Sequence, residues 1–359
     1  MTFIPTTNKV LRPSIGWVVF ILVVCSWPSC LDPIDFEIED GLSESIVIFG
    51  RISKGEPSVA EVTVSRVFDF NSAARRLVSV RDVVVTADTG EEIVLSEEGV
   101  GTYRRIIESS DNFPVEHGQS YKLSLRSVDG NMYESSFDQL LPNPPIDSIV
   151  ARKESRDAVD AFGDFFLQEF LSFQVYTELT SMGFDPALLW QAQRTWQVTD
   201  LRGQVCYLDE NAVTGDLRMY NPTDFAADRL EGFEIFTSTI DPRLTEGSLF
   251  EITQVSLSHE ARVYWANALE AANFSGGMFE PRAGLIQSNV RNLTNEKDVV
   301  HGYFFATEPQ VYYIKLNQDD FPDLRTFCPP PMIQCPGDLC CDCTDFFNSR
   351  PQPPDNWEC

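Results

Sequence analysis

Between Ser45 and Phe137 the chain breaks into seven short segments rich in β-branched and aromatic residues: SIVIFGRI, SVAEVTVSRVF, RDVVVTAD, EEIVLSE, GVGTYRRII, QSYKLSLRSV and NMYESSF. In the second, Val59, Val62 and Val64 stand among polar residues. A half-buried strand needs a period of two, and an amphipathic helix needs 3.6. Turn residues separate the segments: Lys54-Gly55-Glu56-Pro57, Thr89-Gly90 and Asp129-Gly130-Asn131. Short strands with turns roughly every 8–12 residues predict an immunoglobulin-like antiparallel β-sandwich, here over residues 44–143. Residues 31–205 contain no cysteine, so the disulfide-pinned form of that sandwich is excluded.

The stretch LLPNPPIDSIV, residues 140–150, carries Pro142, Pro144 and Pro145. Proline cannot donate to a β ladder, so this is no central strand. It is read as a linker, with a new strand from Ile146. A larger β-rich domain, 144–327, follows, with strands expected at 169–179, 194–203, 233–240 and 249–258. Residues 299–316 read as one or two closing strands. A single amphipathic helix is expected near 258–273. Ser258 is its N-cap, and Ala261, Tyr264, Trp265, Ala268, Leu269 and Ala272 form its apolar stripe. The acidic pieces around Leu208-Asp209-Glu210 and in NQDDFPD lack the ordered ligand spacing of a calcium loop and read as solvated turns.

Nine cysteines are unevenly placed: Cys25 and Cys30 near the N-terminus, Cys206 alone, and Cys328, Cys335, Cys340, Cys341, Cys343 and Cys359 in a proline-rich tail, 328–359. That tail is not expected to build a conventional core. No tail pair has C-x2-C spacing and no histidine lies among them, so disulfides are favoured over zinc. With Cys25 and Cys30 set aside, seven remain, an odd number: one stays free or pairs between chains. Cys206 is the one partner outside the tail, and a bond from it would strap the tail across the second domain.

Residues 1–29 read as a lipoprotein signal peptide. Lys9 and Arg12 precede an apolar core, Ile15–Cys25, and small Ser29 stands just before Cys30. Cys25 follows bulky Val24, so Cys30 is the expected lipidation site, giving a membrane attachment through acyl chains. Residues 30–43 then form an acidic tether. The formal charge of −27 repels phosphate backbones and argues against nucleic acid as a partner. No nucleophile elbow, HExxH, P-loop, GxGxxG or EF-hand pattern occurs, so neither catalytic residues, a metal site nor a cofactor is assigned. Asn273-Phe-Ser275 and Asn292-Leu-Thr294 fit glycosylation sequons but read as accidental in a bacterial lipoprotein.

Several features occur together in order. A cysteine precedes LDPIDFE, and IVIFGRIS, VVVTADTGEEIVLSEEGVGTYR and LPNPPIDSI follow. After them come VSLSHEARVYWANALEAANFSGGMFEPRAGLIQSNV, VVHGYFFAT and the closing CDC. With these the chain resembles the Bacteroidetes surface-lipoprotein family described as domain of unknown function 4249. The resemblance implies an outer-membrane lipoprotein facing the cell exterior, often encoded beside a TonB-dependent transporter, and it brings no catalytic residues. It also implies a Cys-x-Cys ending, matched by Cys341 and Cys343. The resulting expectation is a non-catalytic accessory subunit, a lid or a substrate-capture protein, of such a nutrient-uptake transporter. The competing expectations are a surface hydrolase acting on polysaccharide or peptide, and an adhesion module.

Overall fold

A computed structural model of the chain describes residues 45–67, 76–159, 163–179, 186–211, 218–272, 286–328, 339–346 and 348–358. The first strands are β1 (Ile46–Ser53), β2 (Ser58–Arg66), β3 (Val80–Ala87), β4 (Glu92–Val94), β5 (Ser96–Gly99), β6 (Thr102–Ile107), β7 (Ser120–Ser127), β8 (Met132–Ser135) and β9 (Asp138–Gln139). Then come β10 (Ile146–Val159), β11 (Phe165–Glu178), β12 (Ala187–Thr199), β13 (Val205–Asn211), β14 (Met219–Tyr220), β15 (Arg229–Thr239) and β16 (Ser248–Leu257). The helix α1 (His259–Ala272) is followed by β17 (Val290–Asn292), β18 (Val300–His301), β19 (Phe304–Thr307), β20 (Pro309–Leu316) and β21 (Ser349–Arg350). Among the described residues the protein is mainly β with one packed α-helix, as its sequence leads one to expect.

Two sheets enclose the first core. One runs β18-β1-β2-β6-β5, with β19 also on β1; the other runs β17-β8-β7-β3-β4, with β9 on β7. Alternation does the sorting. Every second residue of β1 is buried, and Ile48, Ile52, Val62, Val64, Val85 and Leu123 meet between the sheets. The segment EEIVLSE, expected as one strand, divides at buried Leu95: β4 pairs with β3 in one sheet and β5 with β6 in the other.

The sandwich also takes in strands from far along the chain. Both β18 and β19 pair parallel with β1, Ile46 opposite Val300 and Gly50 opposite Phe304, and β17 pairs with β8. Residues 299–316 therefore make three strands, two of which complete the N-terminal sandwich instead of closing the second domain. Gly302 sits at the break between β18 and β19 with φ 93°, where a Cβ would stand 2.1 Å from the Ile48 carbonyl oxygen. Glycine alone fits both that conformation and that approach.

A second sandwich packs β10-β11-β15 against β20-β16-β12-β13-β21, with β14 on β12. Phe173 stacks on Phe236 at 4.4 Å and tilts onto Phe250 at 4.8 Å, fixing the two sheets face to face. The strand expected at 194–203 begins seven residues earlier, at Ala187, and ends before a turn at Asp200–Gly203. The Asp200 carboxylate accepts there from the Arg202 and Gln204 backbone N–H groups.

The proline linker is a rigid seam. The buried Asn143 amide donates to the carbonyls of Gln254 (2.9 Å) and Glu308 (2.7 Å). Gln254 Nε2 donates back to Asn143 Oδ1 and to the Pro144 carbonyl, and Trp190 Nε1 donates to Gln254 Oε1 at 3.0 Å. Burial without such partners would be costly for an amide pair, and here both are satisfied. The helix lies where the sandwiches meet. Ser258 Oγ accepts from the Ala261 N–H at 3.0 Å, as an N-cap does. Ala261, Tyr264, Trp265 and Leu269 turn toward Phe49, Tyr303, Phe305 and Leu257.

Candidate functional site

Two places gather polar chemistry, one an open cleft and the other buried. The larger is a cleft of about 440 Å³ between the second sandwich and the C-terminal tail. Its floor is built by strand register. Gln193, Glu251 and Tyr313 are direct cross-strand partners on β12, β16 and β20, and the next row carries Thr195, Leu249 and Asp209. Partners in register bring side chains within about 5 Å of each other, so the floor presents a dense polar row. The tail forms the roof with Arg350 and residues 352–356.

Three features clamp that roof. Strand β21 pairs with β13, Tyr207 opposite Arg350. Trp357 is buried edge-on against Tyr207 at 4.9 Å, and Lys315 Nζ lies 4.7 Å over its ring. Cys206 and Cys343 form a disulfide across 137 residues of sequence, with Cα atoms 6.0 Å apart. Cys328 and Cys340 form another, and Cys341 is likewise disulfide-bonded. The bond from Cys206 is the strap anticipated from the sequence. The tail, not expected to build a core, shares one. Phe327, Leu339, Phe346 and the bonded cysteines pack on Trp196, Val198 and Leu208. Cys30, Cys335 and Cys359 lie outside the described residues, as does the sequon at Asn273. The other sequon asparagine, Asn292, is 1% exposed and donates to Asp298, so its amide is closed to an oligosaccharide-transferring enzyme.

In the cleft, Arg350 donates to Asp209 at 2.9 Å, and Asp209 also accepts from the Thr195 hydroxyl at 2.6 Å. The carboxylates of Glu251 and Asp355 have no ion-pair or hydrogen-bond partner among the described residues. The acidic piece around Asp209, read from sequence as a solvated turn, is instead strand β13. Its alternation sends Asp209 to the cleft and Glu210 to the other face. There Glu210 pairs with Arg194, whose side chain is 2% exposed, and with Arg243 at 2.6 Å. Two acids flanked by strand-forming Cys206, Tyr207 and Leu208 were the available signal, and charge alone obscured it.

The second place is a buried polar centre beneath the start of α1. The Asp138 carboxylate accepts from the Ser258 hydroxyl at 2.6 Å and from the Ala306 N–H at 2.9 Å. Burial pushes its carboxyl up to about 7, against those two hydrogen bonds, and the nearby Glu260 charge adds to the rise. Burial likewise pushes the Tyr303 hydroxyl up and His301 down. This centre ties β9, α1 and β19 together and is enclosed, so it reads as structural. His117 pairs with Glu308 at 3.0 Å and His259 with Arg262 at 2.7 Å. Among the described residues no histidine is hydrogen-bonded to a hydroxyl or thiol, and no group of three or more His, Cys, Asp or Glu is placed to hold a metal ion.

Fold and cleft together define a mainly β protein of two sandwiches with a disulfide-strapped tail over a polar cleft. The chain belongs to the family described as Domain of unknown function (DUF4249), whose model matches residues 31–311. No curated protein and no solved structure matches it. The matched residues include the helix and the strands that receive it. The whole of the roofing tail lies beyond them.

Proposed function

We propose that this chain is a non-catalytic outer-membrane lipoprotein, anchored through Cys30 and facing the cell exterior. It serves as an accessory substrate-capture subunit of a TonB-dependent nutrient-uptake transporter. The observation that carries the reading is the N-terminal order in a member of this family: an apolar export segment, Ser29-Cys30, then Asp32, Asp35 and Glu37. Several acyl chains on one residue give durable anchoring, which a capture protein needs if it is to stay at its transporter. A polar cleft open to solvent suits capture, and the acidic surface suits exposure to water. The test has two parts. Mass spectrometry of the mature N-terminus should find acylated Cys30, and an unmodified peptide containing Cys25 would overturn the anchoring. Affinity purification of the full chain from native membranes should recover an outer-membrane transporter, and recovery of none would overturn the accessory role.

A surface hydrolase is the second reading, favoured by the unpartnered carboxylates Glu251 and Asp355 in the cleft. It requires turnover of an oligosaccharide or peptide that disappears in E251Q or D355N.

A further inference from the structure

The cleft beneath the tail has a composition that selects among ligand chemistries. It is large enough, at about 440 Å³, to lie in the usual range for small-molecule sites, roughly 300–1,000 Å³. That is about fifteen water volumes, the bulk of one or two sugar rings. Its charge argues against an anion: Asp209, Glu251 and Asp355 face it with Arg350 as the single cation. The charge of Arg350 is offset by Asp209, to which Nη2 donates, and Nη2 also lies 3.5 Å from the Thr195 hydroxyl, while the buried Nε–H has no partner and remains a donor. A purely apolar ligand would leave the carboxylates and amides of the wall dehydrated and unpaired.

What remains is a ligand that both donates and accepts hydrogen bonds. The free groups of the wall are of both kinds. Glu251 and Asp355 can only accept, while the amides of Gln193 and Asn356 donate and accept. A simple cation would use the carboxylates and the amide oxygens but leave the amide NH2 donors unserved. A hydroxyl group uses both. Tyr313 adds a flat apolar face beside the polar row, and its direct register with Glu251 places face and carboxylate side by side. An amphipathic ring against a row of polar side chains matches a molecule with apolar C–H faces and hydroxylated edges.

From this the geometry points to a binding site for a neutral saccharide of one or two rings, held between the β12-β16-β20 floor and the disulfide-strapped tail. This deepens the capture role proposed above and rests on it for its biological purpose. Gln193 and Glu251, adjacent across two strands, would bracket neighbouring ring hydroxyls, and Asp355 and Asn356 would close over them from the roof.

The experiment uses the purified full chain with saturation-transfer NMR and calorimetry. The probes are maltose, cellobiose, xylobiose, mannobiose, galactobiose and N,N′-diacetylchitobiose, with putrescine and citrate as the cationic and anionic probes. At least one saccharide should bind with a Kd at or below the millimolar scale, and E251Q and N356A should each weaken it by about tenfold or more. Both variants alter cleft side chains without backbone roles, and an unchanged melting temperature confirms folding. The inference is overturned if none of the saccharides binds at roughly 10 mM, if putrescine or citrate binds and the sugars do not, or if sugar binding survives both substitutions. Transporter recovery is measured separately. Sugar binding without a transporter removes the accessory role alone, and a transporter without sugar binding removes this inference alone.

Discussion

Asp138 should make its ionisation visible in the stability of the whole molecule. Its side chain is buried, with the residue 1% exposed, and its carboxyl is pushed from 3.8 up to about 7. The native state thus holds a proton, between about pH 4 and pH 7, that the unfolded chain has released. A raised native value stabilises below the unfolded one, and that contribution is lost as pH rises through the native one. About three units at roughly 1.4 kcal/mol each give a ceiling of about 4 kcal/mol, of which about 3 kcal/mol is lost between about pH 5 and pH 8. Asp138→Asn keeps the shape of the neutral side chain and cannot ionise. Urea titrations across that window should show the stability of D138N relative to the native chain rising by about 3 kcal/mol. His301 acts in the opposite sense, because burial lowers its value and its contribution grows as pH rises through that lowered value toward the ordinary histidine range. Glu246, raised by burial, acts in the same sense as Asp138. Both are present in both proteins and cancel in the difference. A difference that stays flat within about 0.5 kcal/mol across the window would refute the assignment of a buried, neutral Asp138.

Three further outcomes follow from the packing. Replacing Cys206 and Cys343 together by alanine frees a loop of 137 residues. Chain entropy puts the loss near 5 kcal/mol, read as a lowered denaturation midpoint, and a loss under about 1 kcal/mol would count against the strap. Asn143→Ala removes a buried amide and strands the carbonyls it serves on Gln254 and Glu308. The cost should be about 2–4 kcal/mol in chemical denaturation, with the same loss seen by probes in either sandwich, and melting of one sandwich alone would show the seam to be dispensable. Gly302→Ala forces a Cβ into the Ile48 backbone at positive φ, so it should cost at least about 3 kcal/mol or abolish soluble expression, and a neutral result would contradict the described break between β18 and β19.

How far the sequence could be read depended on the range of the interaction. Local signals were legible. The β-branched run of β1, the alternation of β2, the turn at Gly130, the Ser258 cap and the Ala261–Tyr264–Trp265–Leu269 stripe are all set by neighbours within a few residues. The partners of those elements were not. Nothing in VVHGYFFAT states that it pairs with Ile46–Ser53, because parallel pairing leaves no hairpin turn to mark it. Leu95 was opaque for a similar reason: a strand that changes sheets keeps its composition. In the site, the cysteine distribution offered a strap from Cys206 to the tail as one outcome, beside a free thiol or a pair between chains. The cleft was invisible, because Glu251, Gln193 and Tyr313 become neighbours only through register, and 54 acidic residues give no hint of which carboxylates lack partners.

The parallel pairing of β18 and β19 with β1 also sets an order in time. Synthesis delivers β1 first and Val300 only after the whole second sandwich has passed. Until then β1 has an open hydrogen-bonding edge, and its core lacks Phe304 and Ala306. Contacts this distant in sequence slow folding and prolong the exposure of unpaired edges. The N-terminal sandwich is therefore no autonomous module, although its proline border looks like one. A fragment cut at residues 140–145 should aggregate, and a segment carrying residues 286–308 supplied in trans is what would rescue it.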